Sequence, residues 1–125
     1  MFDRLDFVYQ PSRDAEADRN FHVSAFGADA VFSIVRFGTR VALVRLSRDG
    51  PGLLFAEHLE GDQPVLIYRV PDLEVAEATL PDDVLGERFE FPYGTGRLLV
   101  GPRRLAIYQR THAERGRGIE GRHDF

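Results

Sequence analysis

The chain contains no cysteine, which excludes disulfides, thiolate zinc sites, iron–sulfur clusters and cysteine nucleophiles together. It has no apolar run approaching the length of a bilayer span, so no membrane partner is expected. The opening "MFDRLDFVYQ" puts acids where a secretory signal needs a basic start and an apolar run, and the expected location is cytoplasmic. A basic excess is also missing. Sixteen Lys and Arg against 20 Asp and Glu leave a formal charge of −4, and nucleic acid, whose phosphates reward a basic surface, is not an expected partner. The local exception is Arg103, Arg104, Arg110, Arg115, Arg117 and Arg122, read as a solvated C-terminal segment. Ser12, Ser24, Ser33 and Ser47 have no G-x-S-x-G context, and no P-loop Lys–Ser pair follows the glycines of "FEFPYGTGR". Nucleophilic serine chemistry and a phosphate cradle both lack support.

What is present is a sequence of 125 residues, 43% hydrophobic and 29% charged, long enough for one self-sufficient globular domain. Its two halves echo each other. "FVYQPSRDAEADRNF" from Phe7 is matched by "VLIYRVPDLEVAEATL" from Val65, with Asp14 against Asp72. "FGTRVALV" from Phe37 resembles "YGTGRLLV" from Tyr93, and "GLLFAEH" from Gly52 resembles "RLAIYQR" from Arg104, which sets Leu54 opposite Ala106.

Within the first half, the branched and aromatic residues of Leu5–Gln10 read as a strand. Asp14 reads as a helix cap, Ala17, Phe21 and Ala25 as the helix's apolar stripe, and Gly27 as its left-handed stop. Val31–Arg36, Val41–Leu46 and Leu53–His58 follow as strands, the first two joined by a tight turn at "FGTR". The second half repeats the order: strand Val65–Val70, helix from Asp72 to about Leu80, a loop holding Asp82 and Asp83, then strands near Phe89–Phe91, Arg97–Val100 and Leu105–Gln109.

The predicted fold is α+β, one domain over 1–125 made of two βαβββ modules (5–60 and 64–110) and a tail (111–125), with curved mixed sheets around a cleft. Neither small sheet fills a core alone, so the halves, or two copies of the chain, must pack together, and a homodimer is expected. In the tail, "IEGR" at Ile119–Arg122 reads as native sequence, with Ile119 and Phe125 as anchors on a neighbouring surface while the arginines stay wet.

The paired modules, "SRDAEADRNFHVSAFGA" in the place of the first helix, "VGPRRLAIYQ" near the end and the closing "GRHDF" resemble the vicinal oxygen chelate superfamily, which includes glyoxalase I, extradiol dioxygenases and bleomycin-resistance proteins. The resemblance runs from about Leu5 to Gln109. It implies metal ligands on the first and last strands of each module, at Phe7, Leu54, Val65 and Ala106 in this chain. All four are hydrocarbon, with no lone pair to offer a divalent ion. No metal and no other cofactor is therefore expected. A one-residue slip in register would instead turn Asp6 and Glu57 inward.

If those four positions face the cleft, period two adds Tyr9, Ala56, Ile67 and Tyr108, with His58 at a strand end and Tyr93 on a turn over the cleft mouth. The candidate pocket is thus Phe7, Tyr9, Leu54, Ala56, His58, Val65, Ile67, Tyr93, Ala106 and Tyr108, an apolar and aromatic lining suited to a small hydrophobic or aromatic molecule. His22 reads as a surface residue and His112 and His123 as tail residues.

Three functions follow: stoichiometric capture of an aromatic natural product without a metal, as the resemblance to bleomycin-resistance proteins implies; a lyase or isomerase using His58, Tyr9, Tyr108 and Glu57 as acid–base groups; or a structural dimer whose cleft is collapsed. Four hydrocarbon side chains at the ligand positions lead to one direct expectation. Elemental analysis of the purified protein after dialysis should find no stoichiometric divalent cation, and a retained ion would overturn the strand phase assumed above.

Overall fold

The architecture is seen in a computed structural model that describes residues 2–36, 38–111 and 117–125. The elements in chain order are β1 (Arg4–Pro11), α1 (Ala15–Phe26), β2 (Asp29–Arg36), β3 (Thr39–Arg45), β4 (Gly52–Ala56), β5 (Val65–Arg69), α2 (Leu73–Thr79), β6 (Leu85–Phe91), β7 (Gly94–Leu99) and β8 (Leu105–Arg110), with one 3-10 turn over Asp82–Val84. The two helices start in the same way, because Asp14 accepts the Ala17 N–H at 3.0 Å and Asp72 accepts the Val75 N–H at 3.1 Å. Gly27 ends α1 at φ 68°, and its N–H returns to the Val23 carbonyl. Gly38, at φ 75°, supplies the turn between β2 and β3. Phe37 beside it, and His112 and Arg115 of the tail, lie outside the described residues.

The strands form one eight-stranded curled sheet in the order β2-β3-β4-β1-β5-β8-β7-β6. Both modules therefore share a sheet inside one chain, joined where β1 and β5 pair antiparallel. That seam meets the packing need that suggested two copies. The register makes the internal repeat physical. Tyr9 pairs with Val65 and lies beside Leu54, while Ile67 pairs with Phe7 and lies beside Ala106. The rows Leu54–Tyr9–Val65 and Ala106–Ile67–Phe7 are two-fold counterparts, as the alignment of halves requires.

Alternation along each strand divides the apolar residues between two faces. The inner face gathers Phe7, Phe32, Ile34, Leu43, Leu54, Val65, Ile67, Tyr93, Ala106 and Tyr108 into one core. Outside, α1 covers Ala42, Val44 and Phe55 through Ala15, and α2 covers Ile107 and Val70 through Leu73 and Ala76. The predicted stripe of α1 faces the wrong way. Phe21 is 58% exposed, and Ala17 and Ala25 are exposed too, whereas Ala15 is buried and the His22 ring sits 4.8 Å from that of Phe55. The Asp14 cap and a 2.9 Å bond from the Ala15 N–H to Glu57 fix the helix rotation from its first turn. Four-residue spacing alone does not say which stripe meets the sheet.

The "YGTG" segment also differs from the expected turn over the cleft mouth. Tyr93 is fully buried, its ring stacked on Phe7 at 5.2 Å, and the glycines after it belong to β7. A side chain at Gly94 would lie within 2.0 Å of the Gln109 carbonyl oxygen, and one at Gly96 would strike the Phe89 ring at 2.3 Å. These are sites of close approach, which sequence reads as turn residues. The end of the tail runs beside the outer edge of β2: Gly121 donates to the Val31 carbonyl at 2.7 Å, Ser33 to that of Arg122 at 2.8 Å, and Val35 to the Asp124 carboxylate at 2.9 Å. Ile119 packs on the inner core and Phe125 on the α1 side, between the guanidinium groups of Arg19 and Arg40. This docking covers an otherwise unpaired sheet edge. Among the described residues no helix is long and apolar enough to cross a membrane.

Three carboxylates are held below their ordinary range. The hydrogen bonds from Arg40 lower Glu57, and those from Arg122 lower Asp124. Burial alone would raise Glu77, but Arg88 and Arg97, at 2.5 and 2.6 Å, outweigh it. Because the unfolded chain binds these protons first, their stabilisation is complete above about pH 4.5 and is lost as pH falls through the lowered folded values. Thermal melts should therefore show Tm falling steadily below about pH 4.5, with Glu57→Gln losing part of that slope.

Candidate functional site

The curl of the sheet leaves half of its inner face filled and half open. Phe7, Phe91, Tyr93 and Tyr108 fill one half with rings. Phe91 meets Tyr108 edge-on at 5.0 Å and Phe7 at 5.6 Å. The Tyr108 hydroxyl donates to Asp6, which also receives Arg69 at 2.6 Å and Arg4 at 2.9 Å. A bulge between Leu5 and Phe7 allows Asp6 to reach this inner partner. Burial first, and then Asp6, push the Tyr108 phenol up to about 12, so it stays protonated as a donor. The phenol of Tyr93 is likewise raised, by burial and by Glu120, which accepts its hydroxyl at 3.2 Å.

The other half holds a cleft of two adjoining lobes, about 440 and 310 Å³, that share Tyr9, His58, Ile67, Phe89, Glu90 and Phe91. Ile34, Val41, Leu54 and Pro92 complete the larger lobe with Arg36 and Thr39; Leu59, Val65, Leu98 and Leu105 extend the smaller. Phe89 closes over both lobes because Gly96, its cross-strand partner, leaves its ring room. At the junction the Tyr9 hydroxyl lies 2.8 Å from His58 Nε2, while His58 Nδ1 lies 3.4 Å from Thr39 Oγ1. Burial pushes Tyr9 up to about 12, and at neutral pH the phenol is un-ionised. In the Nδ1–H tautomer of His58 it donates to the imidazole and can pass a proton along that line.

Of the ten residues predicted from sequence, Tyr9, Leu54, His58, Val65 and Ile67 line this cleft. Phe7, Tyr93, Ala106 and Tyr108 lie in the filled core, and Ala56 is buried outside both lobes. Glu57 belongs to the α1 side, where it binds Arg40 and the Ala15 N–H. Alternation implies Ile34 and Val41 on the inner face once their hairpin is drawn. Phe89 and Phe91 carry no such signal, because only the curl brings β6 across the cleft.

The set of residues does not fit the metal that the family resemblance implies. Phe7, Leu54, Val65 and Ala106 offer hydrocarbon at every position, and among the described residues no three His, Cys, Asp or Glu side chains converge into an ion-binding group.

No protein-family model matches the chain, and no curated protein matches it. Solved structures do. Methylmalonyl-CoA epimerase from Mycobacterium tuberculosis superposes with a TM-score of 0.70 at 14% identity, over 86% of this chain and 87% of that one. The chain has the glyoxalase/bleomycin-resistance-like fold. A variant of the Streptomyces coelicolor methylmalonyl-CoA epimerase, in complex with 2-nitronate-propionyl-CoA, shares it with a TM-score of 0.70 at 15% identity, over 89% and 96% of the two chains. At such identities the likeness is one of architecture, and this fold hosts more than one chemistry.

Gly96→Ala should force the Phe89 ring toward the lobes and destabilise the protein by about 1–3 kcal/mol, read by chemical denaturation. Tyr9→Phe removes one part-exposed neutral hydrogen bond and should cost no more than about 1 kcal/mol by the same measurement.

Proposed function

We propose that the protein captures an apolar or aromatic small molecule in this cleft without a metal. The observation that carries the proposal is the replacement of every ligand position by hydrocarbon beneath a cleft walled by Phe89, Phe91, Val41 and Ile34. Burial of the ligand's apolar surface supplies the driving force, and the Tyr9–His58 pair gives a polar point of orientation. Capture of this kind needs fit rather than bond making. The proposal takes the protein to be a cytoplasmic homodimer, with small-molecule capture as its only chemistry.

A second reading, an isomerase of the same fold, draws support from one contact. Tyr9 and His58 form an acid–base pair at 2.8 Å inside the cleft, and solved structures of this fold include methylmalonyl-CoA epimerases. In such a reaction the Tyr9 hydroxyl would turn from His58 Nε2 to the developing oxyanion, and the freed Nε2 would take a proton next to a carbonyl and return it to the opposite face.

Nile red, a neutral apolar dye, should bind at micromolar concentration with a rise in fluorescence, and Val41→Trp, which fills the larger lobe, should weaken it about tenfold while the circular dichroism stays unchanged. Absence of dye binding to the wild type would overturn capture. For the isomerase, proton exchange of methylmalonyl-CoA in deuterated buffer, followed by NMR, should exceed the buffer rate and vanish in His58→Gln. Exchange at the buffer rate rules that reading out.

A further inference from the structure

The larger lobe has one polar edge, and its side chains fall into a single row. Arg36 pairs with Thr39 across the β2–β3 hairpin. Extending the β3–β4 register, in which Val41 faces Ala56, by one inward-pointing position sets Thr39 beside His58. Arg36 shares the inner face with Ile34, two residues before it, and all three polar residues line the lobe. The row therefore carries a guanidinium, a hydroxyl and an imidazole along the rim of a wall otherwise made of Ile34, Val41, Leu54 and Ile67.

Arg36 differs from the other charged residues of the cleft. Its guanidinium has no hydrogen bond, ion pair or ring contact among the described residues. Arg104, at the smaller lobe, is committed to the loop after β4 through the Glu60 and Gln63 carbonyls at 2.9 and 2.7 Å. Glu90, an acid that also lines both lobes, is engaged on its own hairpin, where its carboxylate accepts the Thr95 hydroxyl at 2.7 Å. A cation without a partner among the described residues, at the rim of an apolar cavity, favours a ligand that brings the missing negative charge.

We propose that the ligand is an organic carboxylate: an apolar body lying on Ile34, Val41, Leu54 and Ile67, and a carboxylate bound by the Arg36 guanidinium with the Thr39 hydroxyl beside it. The planar fork of Arg36 matches the two carboxylate oxygens, which a single hydroxyl does not. The inference rests on the capture reading and adds to it the sign of the ligand's charge and the end of the cleft at which its head sits.

The experiment uses two probes with the same body, naphthaleneacetate and the neutral naphthaleneacetamide, titrated by calorimetry into the full chain. The acetate should bind about tenfold more tightly, and Arg36→Gln should erase that difference while leaving the acetamide unchanged. Added salt should weaken only the acetate. Equal affinities, or a preference that survives Arg36→Gln, would overturn the carboxylate assignment and leave capture standing. If neither probe binds and Nile red also fails, capture and the carboxylate assignment fall together; if Nile red binds and neither probe does, only the carboxylate assignment falls.

Discussion

The antiparallel pairing of β1 with β5 is the contact on which the rest of the molecule depends. It sets Phe7 against Ile67 and Tyr9 against Val65, and so turns two half-sized sheets into one surface with a buried inner face. Without that seam neither module has a core of its own, since α1 and α2 cover only the outer face. With it, Phe7, Leu54, Val65 and Ala106, the positions at which the family resemblance implies metal ligands, come to the centre of the sheet, and here they are hydrocarbon.

The inner face is occupied unequally, and the cleft takes side chains from both sides of the seam. Around Phe7 the aromatic rings pack densely, and Tyr108 joins the Asp6–Arg69 cluster. Around Tyr9 the smaller and aliphatic residues leave volume, and β6 lies over it. A filled half gives the sheet rigidity, and an open half gives the cleft a fixed floor. The two functional readings differ in what they ask of that floor. Capture uses its area, whereas an isomerase uses only the Tyr9–His58 contact at its edge.

Much of the fold was legible from local chemistry. Asp14 and Asp72 cap their helices because a carboxylate three residues ahead of an N–H suits that bond wherever it occurs. Alternation in Phe7–Tyr9, Val65–Ile67 and Ala106–Tyr108 reports one face of each strand without help from the rest of the chain. The candidate site was legible only in part. Tyr93 and Tyr108 read as pocket phenols because inner-face residues look alike whether they meet a ring or a void. The exposed stripe of α1 was misread because helical periodicity marks a face and not what faces it. Asp6 reads as an outer-face residue unless the register slips, because a bulge leaves no mark in a run of alternating residues.

What the sequence by itself determined is the repeat, the helix caps, the phase of the central strands and the hydrocarbon at the four ligand positions, all of which follow from bonding and steric preferences acting over a few residues. What only the tertiary structure decided is which inner residues are packed and which are open, the approach of Phe89 and Phe91 across the cleft, and the alignment of Arg36, Thr39 and His58 on one rim. Those outcomes depend on strand order and sheet curl, which bring together residues dozens of positions apart, and no local pattern encodes the distance between them.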